Sequence, residues 1–392
     1  MRPAARVQAA IELLDAIIDG ARKKGAPADR LISEYFKKRR YAGSKDRRAV
    51  RELVYQAVRA CGPVPKSGRA AMLALTKSDE SLVDLFDGSE HGPAPIKDSE
   101  KAAETGIAPD WLMQQLAGSG VGADVADALL GRAPLDIRVN TLKADRAALE
   151  LPEQGEQLEA RQALRLALGT QVEQWETYRD GMIEVQDHGS QLVCEGFAAQ
   201  PGENVIDLCA GAGGKTLALA AQMGNSGALV ACDTDRGRLT RLVPRARRAG
   251  AGLFDTILLD PGKEMEALER FEGHADAVLV DAPCSGTGTW RRNPESRWRI
   301  TMAELERLAQ LQDRLLDIAA KLVKPGGRIG FVTCSLLDIE GRERIEAFLS
   351  RIDGWSAEDI ALPLGRAHGP GHRLDPLHDG TDGFFVAMLR SS

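Results

Sequence analysis

The feature that most constrains this chain is a ladder of short apolar runs that stop at aspartates. Residues 204–208, 228–232, 256–259 and 277–280 read as strands, with Asp207, Asp233, Asp260 and Asp281 at or just past their ends. Helical stretches separate most of them, and a fifth run at 328–332 follows a long one at 301–322 that closes on Pro325-Gly326-Gly327. Strands alternating with helices pack as a parallel sheet covered on both faces. The expected fold class is therefore α/β, with ligands held beyond the carboxyl ends of the strands. The run at 384–389, after a glycine-rich loop, is expected to add an edge strand.

The first run continues as Asp207-Leu-Cys-Ala-Gly-Ala-Gly-Gly-Lys-Thr216. A Walker loop needs glycine where Cys209 stands. The third glycine of a dinucleotide loop falls on Thr216. What survives is a close backbone approach to a ligand at the start of a helix. Asp233 comes 22 residues after Gly211, where a carboxylate can accept both ribose hydroxyls. Carboxylates at successive strand ends repel a pyrophosphate, so the set favours S-adenosylmethionine over NAD or ATP. A helix N-cap accounts for any one such aspartate, but not for four in order.

Six cysteines (Cys61, Cys194, Cys209, Cys232, Cys284, Cys334) form no Cys-x-x-Cys pair, which argues against a disulfide framework or a zinc knuckle and fits a reducing cytoplasm. His368 and His372 are separated by Gly369-Pro370-Gly371, so no metal site is expected. Cys284 and Cys334 differ from the other thiols, which read as small buried apolar groups. They follow the strand runs at 277–280 and 328–332, at the ligand-binding edge. Carbon 5 of a pyrimidine is a poor nucleophile, and a thiolate added to carbon 6 turns it into an enamine able to attack a methyl sulfonium.

The net charge of −6 hides an asymmetry. Residues 1–62 hold 15 Lys+Arg against 7 Asp+Glu, and the rest of the chain 36 against 50. Apolar stripes (Ile11, Leu14, Ile17, Ile18, then Val50, Leu53, Val54, Ala57, Val58) predict helices from Pro3 to about Ala60. Between the stripes, Lys37, Lys38, Arg39, Arg40, Lys45, Arg47 and Arg48 form either a solvated face or a phosphate-binding one. Residues 63–98 read as a connection with one short helix near Leu82, and 135–190 as a small α+β segment with strands at 136–140 and 181–185. No apolar run reaches the ~20 residues of a membrane helix, and no secretory signal precedes the first helix. Trp290, Arg291, Arg292, Arg297, Trp298 and Arg299 offer either stacking faces for a flipped-out base or tryptophans packed inward.

The runs at 207–216 and 281–284 and the triplet Thr333-Cys334-Ser335 resemble those of the bacterial RsmB-like (Sun/Fmu) RNA (cytosine-5) methyltransferases. Residues 138–143, 185–191 and 382–385 agree with that resemblance, and Asp46-Arg47-Arg48 before an apolar stripe is similar to the NusB-like domain of that branch. The resemblance implies a class I S-adenosylmethionine-dependent methyltransferase domain over 201–392, a Rossmann-like parallel sheet with an antiparallel edge strand. It also implies an all-α NusB-like RNA-binding domain over 1–130 and a small α+β linker over 131–200. It makes Cys334 the nucleophile, with Cys284 assisting product release. Cys209, Ala210, Gly211, Ala212, Gly213, Gly214, Lys215, Asp233, Asp260 and Asp281 hold the cofactor. Asp281 also faces the cytosine as a protonated donor to ring nitrogen 3, with Lys215 near the base.

Two positions depart from the family pattern. The usual Ala-Ala-Pro-Gly-Gly-Lys loop has lost its proline, and Glu340-Gly341-Arg342 replaces the paired glutamates before asparagine. The expected partner is RNA, 16S rRNA first, for a cytoplasmic monomer with no metal and no membrane. The alternatives are a cytosine-5 methyltransferase acting on tRNA or DNA, and a non-catalytic RNA-binding or assembly factor.

Overall fold

Helix α1 (Pro3–Arg22) begins on a proline, which costs nothing in a first turn. It buries Val7, Leu14, Ile17 and Ile18 against α2 (Ala28–Lys38), α3 (Ser44–Ala60) and α4 (Gly68–Leu75). Residues 63–98, expected to be a connection with one short helix near Leu82, also contain α4. That helix starts at Gly68, where a Cβ would sit 2.2 Å from the Ile11 carbonyl, so only glycine lets it approach α1. Helices α5 (Asp110–Gly118) and α6 (Ala123–Ala128) follow. The structure, a computed structural model, describes residues 1–252 and 254–392. These fall into two compact units, Met1–Gly131 with Thr289–Thr301, and Arg132–Gly288 with Met302–Ser392.

The segment Thr289–Thr301 is a structural part of the first unit. Arg297 is fully buried and donates to the Val58 and Cys61 carbonyls at the end of α3, at 2.7 and 2.8 Å. The Trp298 indole donates to the Gly62 carbonyl, and Arg299 to the Gly25 and Ala26 carbonyls. Glu295 accepts from the Ala28 amide at the start of α2. The Cys61 carbonyl and the Ala28 amide are among the backbone groups that helix ends leave unsatisfied. Of the two readings open for this segment, the structure has the tryptophans packed inward: Trp290 is 0% and Trp298 5% exposed.

The second unit opens with a four-stranded antiparallel sheet, β1 (Leu135–Val139), β2 (Glu156–Gln157), β3 (Ala163–Leu166) and β4 (Ile183–Val185), in the order β2-β3-β1-β4. Helix α7 (Glu176–Arg179) lies between β3 and β4, and α8 (His188–Phe197) leads into the main sheet. The main sheet then builds as β5 (Asn204–Asp207), α9 (Gly214–Gln222), β6 (Ala228–Asp233), α10 (Arg236–Ala249), β7 (Phe254–Leu258), α11 (Glu264–Leu268), β8 (Ala275–Asp281), α12 (Met302–Leu322), β9 (Val323–Thr333) and α13 (Arg342–Arg351). Its last part comprises β10 (Trp355–Glu358), β11 (Arg366–His368), β12 (Gly371–Leu374), α14 (Pro376–Asp379) and β13 (Phe384–Ser391).

The parallel strands lie in the order β9-β8-β5-β6-β7. Their buried residues alternate between two cores. Val205, Leu229, Ala231, Ala277 and Leu279 face one, and Ile206, Val230, Cys232, Val278 and Val280 the other. This is the near-continuous apolar texture of strands covered on both faces. Strand β13 is antiparallel to β9, as expected of a reversed strand, but it is not the edge. β12 and β10 pair with its far side and β11 extends beyond them. The sheet reverses its winding between β5 and β8, the place where such sheets bind ligands. Among the described residues no helix is long and apolar enough to cross a membrane.

Candidate active site

A cavity of about 810 Å³ opens beyond the carboxyl ends of β5, β6 and β8. Its floor is the turn between β5 and α9. Gly211 takes a positive φ of 58° and Gly213 one of 89°, where side chains are disfavoured. A Cβ on Gly213 would also lie 2.0 Å from Leu242. Asp233 holds the turn to β6, one carboxylate oxygen accepting from the Gly211 amide at 2.8 Å and the other from the Asp235 amide at 2.7 Å. Each oxygen keeps a further lone pair for a ligand hydroxyl. Arg245 donates to the Ala212 carbonyl at 2.6 Å, a restraint on the loop that lacks the family's proline.

Asp207, at the end of β5, is fully buried. Thr216 donates to one carboxyl oxygen at 2.6 Å and the other has no partner. Burial, opposed by the Thr216 hydroxyl, pushes this carboxyl up to about 7.

The reactive end lies between β8 and β9. The sulfurs of Cys284 and Cys334 are 3.3 Å apart. Lys215 donates to Asp281 at 2.6 Å. Burial works against the Lys215 charge, but the carboxylate of Asp281 outweighs it and the ammonium is held above its usual range. The proton of this pair therefore rests on Lys215. Asp281, expected from the resemblance to face the cytosine, is ion-paired with Lys215 on the cavity wall.

The hydrogen bond to Cys334, then burial, raise the Cys284 thiol well above its ordinary value. Glu340 lies behind the thiols, fully buried, and accepts from the Ser285 amide at 2.7 Å, the Ser285 hydroxyl and the Ser335 hydroxyl at 2.6 Å. Gln312 donates to the Pro283 carbonyl at 2.9 Å. The two cysteine loops are thus tied together behind the sulfurs.

Of the residues singled out from sequence, Cys209, Ala210, Gly211, Ala212, Gly214, Lys215, Asp233, Asp281, Cys284 and Cys334 line this one cavity. Gly213 supports the turn from below as the N-cap of α9. Asp260 does not join them. Strand β7 ends at Leu258, Asp260 falls in the following turn, and it is exposed while its neighbours Leu259 and Pro261 line the wall. Sequence reasoning missed Ser190, Arg238, Glu264, Arg307 and Arg314 on the walls and the Glu340 network behind them. Glu264 is buried and accepts from Arg314 at 2.8 Å, a pair separated by 50 residues.

The profile of the family described as 16S rRNA methyltransferase RsmB/F matches residues 196–390. The probable ribosomal RNA small subunit methyltransferase B of Synechocystis sp. is 33% identical over 340 residues, covering 81% of this chain and 75% of that protein. The chain belongs to the RsmB/F family. The ribosomal RNA small subunit methyltransferase B of Xanthomonas campestris pv. campestris is also 33% identical, over 72% of this chain and 66% of its own length. The chain thus spans about two thirds to three quarters of these relatives.

Among solved structures, PH0851 superposes with a TM-score of 0.77 at 25% identity over 99% of both chains. NSun6 from Pyrococcus horikoshii superposes with a TM-score of 0.61 at 18% identity, over 72% of this chain and 98% of its own, a likeness of fold. RsmB/F proteins are methyltransferases, and S-adenosylmethionine is the cofactor. The cavity fits it: Asp233 offers acceptors to ribose hydroxyls, and the open backbone at Gly214 and the start of α9 suit a carboxylate.

Proposed function

We propose that this chain methylates carbon 5 of a cytosine in RNA, 16S rRNA first, through a transient bond between Cys334 and carbon 6. The reading rests above all on the two sulfurs 3.3 Å apart on the wall of the cofactor cavity. Asp233, Gly211 and Gly214 would hold S-adenosylmethionine, which supplies an electrophilic methyl group on a sulfonium. Cys334 adds to carbon 6 through its thiolate, and the ring becomes an enamine that takes the methyl at carbon 5. The proton on carbon 5 then passes to water, a transfer that Cys284 assists, as the bond to Cys334 breaks and ring nitrogen 3 returns its proton to the Lys215–Asp281 pair, restoring the aromatic ring and the free thiolate.

The roles of the two cysteines follow from their surroundings. Contact with Cys334 and burial raise the Cys284 thiol well above its ordinary value, which suits Cys284 to stay protonated while Cys334, in the Thr-Cys-Ser motif, attacks. Lys215, charged and beside Asp281, supplies the proton for ring nitrogen 3 as negative charge builds there, with Asp281 as the group through which it passes. The target base must be unpaired or turned out of its helix to reach these groups.

Labelled S-adenosylmethionine with 16S rRNA, tRNA and DNA tests this reading on wild type, Cys334→Ala and Cys284→Ala. Cys334→Ala is expected to lose methylation and form no adduct, and Cys284→Ala to accumulate a covalent protein–RNA species. An adduct that persists in Cys334→Ala and vanishes in Cys284→Ala reverses the roles. Label on tRNA or DNA in place of 16S rRNA overturns the substrate.

A further inference from the structure

Helix α10 carries six arginines (Arg236, Arg238, Arg241, Arg245, Arg247, Arg248) and no acidic residue in fourteen positions, in a chain whose net charge is −6. Leu239, Leu242, Ala246 and Ala249 face the sheet and account for its packing. Arg247 and Arg248 suit the last turn of the helix, but Arg238 and Arg241, Arg241 and Arg245, and Arg245 and Arg248 are like charges at spacings of three and four, which repel. Pro244 in the helix interior is a further burden.

Two of the six have structural work. Arg245 and Arg248 both engage the buried Glu184, Arg248 lies 4.2 Å over the Tyr178 ring, and Arg245 also restrains Ala212. Arg238, in a loose 3.7 Å pair with Asp235, lines the active-site cavity. Arg236, Arg241 and Arg247 are exposed and form no ion pair among the described residues. Against the six charges stand Glu184 and Asp235.

We infer that the exposed side of α10 is an RNA-phosphate surface leading to the mouth of the active-site cavity. The inference rests on the proposed RNA substrate and says where this unit holds the strand beside the target nucleotide. Arg238, Arg241, Arg245 and Arg248 recur at helical spacing along one flank of α10 over about 15 Å, and Arg236 and Arg247 stand on its other flank, so that exposed guanidinium groups border both sides of the helix. Arg238 puts one end of the first flank on the cavity wall. A nucleic acid entering the cavity carries phosphates on both sides of its target, and unpaired guanidinium groups suit them. An acidic protein would match the charge equally but has no reason to begin at the cavity.

The test replaces Arg236, Arg241 and Arg247 together by Gln, and separately by Lys, sparing the cavity and the Glu184 contacts. Binding is followed by fluorescence anisotropy with a labelled single-stranded RNA oligonucleotide and with 16S rRNA, over a range of salt. The Gln variant is expected to bind about tenfold more weakly near physiological salt, with its logarithmic salt slope lower by about 2. The Lys variant is expected to keep both values near wild type, and S-adenosylmethionine affinity is expected to hold in both.

An unchanged affinity and slope in the Gln variant overturns the inference. An equal loss in the Lys variant also overturns it, since that would mark a structural role. A wild type that methylates cytosine while the Gln variant binds normally removes the surface and leaves the function. A wild type that binds RNA through these arginines without methylating carbon 5 removes the function and leaves the surface.

Discussion

Residues 36–48 and the segment Thr289–Thr301, both in the first unit, mix basic and aromatic side chains in much the same way, yet they meet opposite environments. In the first stretch Lys37, Lys38, Arg40, Lys45, Arg47 and Arg48 are exposed, and Tyr41 is 74% exposed. In the second, Trp290, Arg297 and Trp298 are buried. Composition does not separate them. Acceptors do: the second stretch meets carbonyls at the end of α3 and of the loop after α1, where a guanidinium can be buried with its hydrogen bonds made. The first ends α2 with two lysines, Lys37 and Lys38, where cations are already favourable in water.

The comparison breaks first at Arg297. Burial pushes its guanidinium down to about 10, which leaves it charged at neutral pH. Arg297→Met would take the Cys61 carbonyl's donor and one of the two donors to the Val58 carbonyl, and leave a cavity; a buried group left unsatisfied costs ~1–3 kcal/mol. The expected loss in urea unfolding of the whole chain is on the order of 3–5 kcal/mol. Arg297→Lys should recover only part of it, because one ammonium cannot reproduce the planar fork whose Nη2 reaches Val58 and Cys61 while its Nη1 reaches the Pro294 carbonyl. A loss below ~1 kcal/mol would mean that the segment is held by packing alone.

Asp207 sharpens the contrast, as a buried charge site whose partners are incomplete. Its carboxyl, pushed up to about 7 by burial, holds a proton in the folded chain that the unfolded chain releases near pH 4. This contribution is full below about pH 4 and declines by about 1.4 kcal/mol per unit as pH rises toward 7. Removing the titration with Asp207→Asn should cancel that decline. The stability of the variant relative to wild type should therefore climb between pH 4 and 7 by about that slope and then level off. Parallel stability curves for the two proteins would show that Asp207 is ionised in the fold throughout.

These cases also mark what could be read from the chain alone. Asp207, Asp233 and Asp281 were legible because each ends an apolar run, and strand ends are local. The approach of Cys284 to Cys334 was legible for the same reason, since each follows a strand and β8 and β9 are neighbours. Asp260 was expected at a strand end, but β7 stops at Leu258 and the residue falls in the turn beyond it, a shift of two residues that the apolar run does not reveal. The fate of Arg297 was not legible. Its acceptors lie more than 230 residues away and are backbone carbonyls, which leave no mark on periodicity. Glu340 was noticed only as a departure from a pattern, because its serine partners declare themselves in three dimensions.

The smallest expected effect on stability belongs to the exposed stretch, where it is the most telling. Lys37, Lys38 and Arg40 make no ion pair among the described residues, so replacing all three by Gln should move unfolding by no more than ~0.5 kcal/mol per site. Arg39 is left in place because it stacks on Tyr35 at 3.6 Å and pairs with Glu12. If the stretch carries phosphate, the same variant should bind RNA about tenfold more weakly near physiological salt, with its salt slope lower by about 2. Exposed charges separate the two readings because folding is indifferent to them: a loss of RNA affinity without a loss of stability has no structural explanation. Unchanged affinity would return the stretch to an ordinary solvated face. The surface on α10 would then be the stronger candidate for the strand's main electrostatic hold.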